Sequence, residues 1–102
     1  MKDKYLRMIE NMDAGGATEW SVYILRCADG SLYTGIAKDV DARIASHSSG
    51  RGAAYTRTRR PVCLVYRETG FTRSGALIRE ASIKRLPKSR KESMIQPPPP
   101  VT

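Results

Sequence analysis

An α+β fold is predicted for this chain: a small sheet with helices packed against it, in the order ββαβαα. Three observations lead there. Two short apolar runs, Trp20 to Cys27 and Leu32 to Ala37, flank an Asp29-Gly30 turn, the signature of a β-hairpin. A third apolar run, Val62 to Thr69, lies between Pro61 and Gly70. Segments with helical spacing follow the second and third runs, and such an order in a short chain gives strands and helices in separate layers. At 102 residues there is room for one domain.

Each element has its own warrant. Residues 1–19 mix charges with Asp13-Ala-Gly-Gly16 and show no sustained pattern, so a weakly ordered lead-in is expected. In Trp20 to Cys27 one face carries Ser21, Tyr23, Leu25 and Cys27, the other Trp20, Val22, Ile24 and Arg26. Both faces are largely apolar, as in a central strand covered on both sides. Asp39 can cap a helix running to about Ser48, with Gly50 and Gly52 ending it. Val40 and Ile44 give that helix a buried stripe, and Asp39, Arg43 and His47 form a second row at the same spacing. Residues 49–60 read as a loop holding Arg51, Arg57, Arg59, Arg60 and Tyr55. Pro61 starts the third strand and Gly70 breaks it. Thr72 or Ser74 opens a longer helix to about Leu86. Pro87 stops it, and Lys88 to Ile95 suit a further turn or two. Pro97 to Pro100 suit an extended tail. The chain thus divides into a lead-in, 1–19, a folded domain, 20–96, and a proline-rich tail, 97–102.

The net charge of +8 is uneven: residues 1–19 sum to −1 and residues 20–96 to +9. The charge therefore belongs to the domain, and a compact domain this basic attracts polyanions, nucleic acid above all. No stretch is long and apolar enough to cross a membrane. The lead-in contains Asp3, Glu10 and Asp13 without an apolar core, unlike a signal peptide, so the cytoplasm is the expected compartment. Cys27 and Cys63 lie in apolar runs without metal-ligand spacing, and are expected to be buried, reduced thiols.

Five residues could carry chemistry. Tyr23 and Tyr33 share the hairpin; Arg43 and His47 share the next helix. Glu80 has Ala76, Leu77, Ala81 and Ile83 as its neighbours on the helical wheel, so it points from an apolar face, where a lone carboxylate is costly without a partner. Lys84, one turn on, offers a plain structural partner; a divalent cation offers a functional one. For the tyrosines the plain alternative is packing, and for Arg43 and His47 a solvated helix row.

The triplets Ser21-Val22-Tyr23 and Tyr33-Thr34-Gly35 resemble the Gly-Ile-Tyr and Tyr-Ile-Gly pair that names the GIY-YIG nuclease superfamily. The spacing between the tyrosines, the run Asp39-Val-Asp-Ala-Arg-Ile-Ala-Ser-His47 and the helix segment Ala76-Leu-Ile-Arg-Glu-Ala-Ser-Ile-Lys84 match it in order. The resemblance covers about Trp20 to Ile95 and is closest to the small stand-alone bacterial members. The first triplet departs by lacking its glycine, the second by Thr34 for isoleucine. Ile36 stands where some relatives have lysine, and no asparagine follows near the end of the domain.

The resemblance implies a three-stranded antiparallel sheet with flanking helices, and cleavage of DNA phosphodiesters, as in excision repair. It implies roles as well: Tyr33 activates or orients the attacking water, Tyr23 hydrogen-bonds around the site, and Arg43 contacts the scissile phosphate. His47 assists proton transfer, and Glu80 holds one divalent ion, Mg²⁺ or Mn²⁺. A lone carboxylate is a weak anchor, so the ion is expected to bind with nucleic acid present.

The expected function is a metal-dependent DNA endonuclease. Lys38, Arg51, Arg57, Arg59, Arg60 and Lys84 would hold the nucleic-acid backbone, with Tyr55 free to stack on a base. A chain this short leaves no room for a recognition domain, which favours branches, flaps or single strands over sequence; RNA remains open as a substrate. Two other classes fit the same residues: a nucleic-acid-binding module that does not cut, and a protein-interaction domain active only with a partner.

Overall fold

A computed structural model describes residues 18–95. The expected lead-in, apart from its last two residues, and the proline-rich tail lie outside the described residues. Strand β1, Trp20–Cys27, turns through Asp29-Gly30 into β2, Leu32–Ala37. Helix α1, Val40–Ser48, follows, then a one-turn helix α2, Ala54–Arg57. Strand β3, Val62–Phe71, leads to α3, Arg73–Lys84, and α4, Lys88–Ile95. The sheet is antiparallel with order β2-β1-β3, so β1 is central, as its two apolar faces require.

Local chemistry explains the joints. Asp29 Oδ1 accepts from the Ser31 backbone N–H at 3.0 Å, and Gly30 takes a φ of +84°, closing the hairpin. Asp39 caps α1 by accepting from the Ala42 N–H at 3.0 Å. Thr72, rather than Ser74, caps α3, accepting from the Gly75 N–H at 3.1 Å. Pro87 separates α3 from α4, as expected.

The third strand departs from expectation. It runs on through Gly70 to Phe71, because Gly70 adopts a φ of +89° and forms a bulge: Val22 faces Glu68 while Trp20 faces Phe71. A second irregularity sets Ile24 opposite Tyr66 but Leu25 opposite Leu64, leaving Val65 as the extra residue. Val65 and Tyr66 consequently pack on one face of the sheet, Val62 and Leu64 on the other.

Those two faces differ. On one, Val22 and Ile24 pack against Ala76 and Ile83 of α3, with Trp20, Ile36, Phe71, Met94 and Ile95 around them. Val22, Ile24 and Ile83 are fully buried, each contributing about 1.5–3 kcal/mol of apolar transfer. On the other, Tyr23 and Leu25 pack with Ala37 and Val40, and Tyr33, Ile44, Val62 and Leu64 complete the layer. Arg79 of α3 grips Glu68 of β3 through two bonds of 2.8 Å, and Tyr66 donates to the same carboxylate. Arg26 grips Glu92 of α4 at 2.9 and 2.6 Å.

Cys27 is buried, as expected, but Cys63 is exposed. It pairs with Arg26 at the end of an edge strand, on the face where the partner side chain is a solvated ion pair. An apolar run does not by itself bury a residue there.

Candidate active site

The hairpin sets the first two site residues. Tyr23 lies opposite Gly35, and Leu25 opposite Tyr33. A Cβ at position 35 would stand 2.5 Å from Tyr23 Oη and 2.7 Å from its Cζ. The glycine of the second triplet is therefore what lets the tyrosine of the first lie across β2. The two phenol rings are 6.5 Å apart, tilted by 44°.

Helix α1 brings His47 against both. Its ring meets Tyr33 edge-on at 5.2 Å and Tyr23 at 6.0 Å. His47 is fully buried, which removes it from the solvated row that its spacing from Asp39 and Arg43 allowed. Both ring nitrogens are bonded: Nε2 to Tyr23 Oη at 3.0 Å, Nδ1 to Thr56 Oγ1 at 2.7 Å. Gly52 lies so close that a Cβ there would overlap His47 Nδ1 and Cγ.

Charge surrounds this buried chain. Burial pushes the Tyr23 phenol up to about 12; the Arg43 guanidinium beside it opposes that, and the Tyr33 phenol and the Glu80 carboxylate add to it. Burial also lowers His47 below its ordinary value, and the Arg43 cation lowers it further. At neutral pH the pair is a protonated phenol and a neutral imidazole. Arg43 is exposed and lines an open groove with Trp20, Lys38 and Asp39.

Glu80 of α3 touches none of these side chains by hydrogen bond or ion pair, and acts on Tyr23 only through its charge. Its side chain is 19% exposed, and Lys84 Nζ lies 3.5 Å from its Oε2. The intrahelical pair is thus formed, while the carboxylate stays near enough to act on Tyr23. Among the described residues no group of three or more His, Cys, Asp or Glu side chains could hold an ion. A single part-buried carboxylate fits Mg²⁺, which keeps most of its waters and takes one or two carboxylates beside phosphate oxygens.

The remaining expected contacts divide. Arg51 and Arg57 are exposed. Arg59 is held by Asp29 at 3.1 Å and by the Tyr55 carbonyl at 2.9 Å; Arg60 donates to the Arg57 and Ser48 carbonyls, each at 3.2 Å. Tyr55 is exposed, and its ring already has neighbours. It stacks on Tyr33 at 6.0 Å, and the Arg59 guanidinium covers its ring at 3.9 Å. Lys38 is paired with Glu19 at 3.3 Å and lies 5.7 Å from the Trp20 ring. The segment read as a loop contains α2, which carries Tyr55 and Thr56 into the site.

Sequence reasoning missed Thr56, Gly52 and the service of Gly35 to Tyr23. Only Gly35 carried a signal, its place in the second triplet. Thr56 is a loop threonine nine residues from His47, and no spacing links them.

In a comparison with known protein families, residues 19–93 match the GIY-YIG catalytic domain. The chain is 59% identical over 75 residues to a UPF0213 protein of Staphylococcus epidermidis, a match spanning 74% of this chain and 92% of that one. It is 55% identical over 78 residues to a UPF0213 protein of Desulfotalea psychrophila, covering 76% of this chain and 71% of the relative. A solution structure of a protein from E. faecalis is similar at 40% identity and a TM-score of 0.50, covering 72% of this chain and 78% of that one.

Proposed function

The chain belongs to the GIY-YIG family, a nuclease superfamily, and on that premise we propose that it is a divalent-metal-dependent DNA endonuclease directed to structure rather than sequence. The observation that carries this reading is the buried Tyr23–His47 pair with Arg43 and Glu80 acting on it. A phosphodiester needs a water deprotonated and a phosphate charge stabilised, and this cluster offers both.

The two tyrosines divide the work. Tyr33 is half-buried and orients the attacking water. Tyr23, pushed up to about 12, cannot accept a proton alone at neutral pH. It can take one from water as it hands its own to His47 Nε2, 3.0 Å away. The water oxygen bonds to phosphorus, the bond to the leaving oxygen breaks, and that oxygen takes a proton from solvent. Arg43 forks onto the non-bridging oxygens, where charge gathers in the transition state. Glu80 would hold the Mg²⁺ or Mn²⁺ ion, which when bound supplies further charge stabilisation at the phosphate. Exposed Arg51 and Arg57 suit phosphate contacts, which position a duplex without reading its bases.

Labelled duplex, flap and branched DNA, incubated with Mg²⁺ or Mn²⁺ and with chelator, test the reading. Cleavage is expected with metal, and a loss of about 10²–10³ in Arg43→Ala and Glu80→Ala. Cleavage that survives both substitutions sinks the site. Salt-sensitive binding without cleavage assigns the chain to the non-cutting module instead. Failure to bind any nucleic acid leaves the protein-interaction reading.

A further inference from the structure

The buried chain of bonds does not end at His47. Thr56 Oγ1 also donates to the Ala53 carbonyl at 3.0 Å, and Thr56 is itself fully buried. A hydroxyl has one proton and two lone pairs. If that proton goes to Ala53, the contact at 2.7 Å with His47 Nδ1 must run the other way, with Nδ1–H donating. Back-bonding to the carbonyl three residues earlier is an ordinary habit of a helical threonine. A neutral imidazole has a single N–H, so Nε2 keeps its lone pair, and it faces Tyr23 Oη at 3.0 Å.

We propose that Thr56 is a positioning residue that fixes His47 as the Nδ1–H tautomer and so leaves Nε2 as the acceptor of the Tyr23 proton. The order of donation is Tyr23 O–H to His47 Nε2, His47 Nδ1–H to Thr56 Oγ1, and Thr56 O–H to the Ala53 carbonyl. Each group has a bonded partner, and no buried side-chain nitrogen or oxygen among the described residues lacks one. Gly52 leaves the room this arrangement needs, since a Cβ there would overlap His47 Nδ1 and Cγ. The kinetic consequence rests on the nuclease reading above; the tautomer itself does not.

The chain has one histidine, so the imidazole nitrogen shifts in an NMR spectrum report His47 alone. The unmodified protein is expected to show the Nδ1–H form near neutral pH. Thr56→Val keeps the shape and loses the hydroxyl; it is expected to give a tautomer mixture, and Thr56→Ser to restore the single form. In cleavage, Thr56→Val should lose about tenfold or more in kcat with KM for DNA little changed, recovered in Thr56→Ser. Should Thr56→Val fail to fold, Thr56→Ser and the unmodified protein still report the tautomer. An Nε2–H signal in the unmodified protein overturns the proposal, since the hydroxyl would then donate into Nδ1. So does a single Nδ1–H form that persists in a folded Thr56→Val. A tautomer set by Thr56 in a protein that cuts no DNA upholds the lock and refutes the nuclease reading.

Discussion

Alternate residues of one strand meet two different environments. Val22 and Ile24 of β1 enter a dry layer against α3, among apolar neighbours. Tyr23, between them, enters a layer that buries an imidazole and a threonine hydroxyl completely. Both faces bury apolar area, but only that of Tyr23 adds a fully buried imidazole and threonine hydroxyl: burying polar groups is costly unless each is paired, and here each is. The apolar contacts to α3 and the Tyr23–His47–Thr56 chain thus lie on opposite sides of a single strand, one residue apart, while Glu80 acts on Tyr23 from that same helix.

The sharpest way to break that contrast is to cut the dry face. Ile83→Ala is expected to destabilise the fold by about 2–5 kcal/mol, read as a fall in the urea midpoint. The protein that remains folded should keep its cleavage rate, because Ile83 packs with Val22 and Ile24 while the Tyr23–His47–Thr56 chain lies across the sheet. A loss of rate in folded Ile83→Ala would mean that the faces are coupled.

Gly35→Ala strikes the other face. Its Cβ would need the space held by Tyr23 Oη at 2.5 Å, and overpacking of this kind costs about 1–3 kcal/mol. The phenol must move, so the bond to His47 should open and cleavage fall more steeply than thermal stability. A substitution that lowers stability and leaves cleavage intact would show that the phenol is not needed where it lies.

The smallest expected effect comes from acid. His47 is lowered in the folded state and ordinary, near 6.5, when unfolded. The unfolded chain therefore binds more protons in that range, and stability rises with pH. His47's share is complete above about 6.5 and is lost as pH falls toward its lowered folded value. A thermal melt followed from about pH 7.5 to about pH 5 should fall in the unmodified protein and flatten in His47→Gln. Cleavage should share that acidic limb, because a protonated Nε2 cannot accept from Tyr23.

Much of this was legible in the chain. The hairpin was written in Asp29-Gly30, the start of α1 in Asp39, and the central place of β1 in its doubly apolar run. Tyr23, Tyr33, Arg43, His47 and Glu80 were singled out by type and order. What the sequence hid was mostly non-local. The spacing of His47 from Arg43 suggests a solvated row, and only the return of residues 52–56 over α1 buries it. Cys63 sits in an apolar run yet faces solvent, because edge position is a property of the sheet. Gly70 looks like a stop, but a positive φ can serve a bulge as well as an end. Tyr55 looks free until Tyr33 and Arg59, each more than three residues away in sequence, close on its ring.

The Arg26–Glu92 grip spans 66 positions, joining the first strand to the last described helix. Lys88 adds a bond to the Gly30 carbonyl at 3.2 Å, so α4 seals the hairpin turn as well. During synthesis the hairpin is made before β3 and α4 and can pair at once, since its contacts are local. Its central strand must then wait for β3, and its turn for α4, with apolar surface uncovered in the meantime. The nascent chain therefore completes its fold only as synthesis nears the end of the domain, and a transcript truncated before α4 should yield a product that chaperones hold and proteases remove.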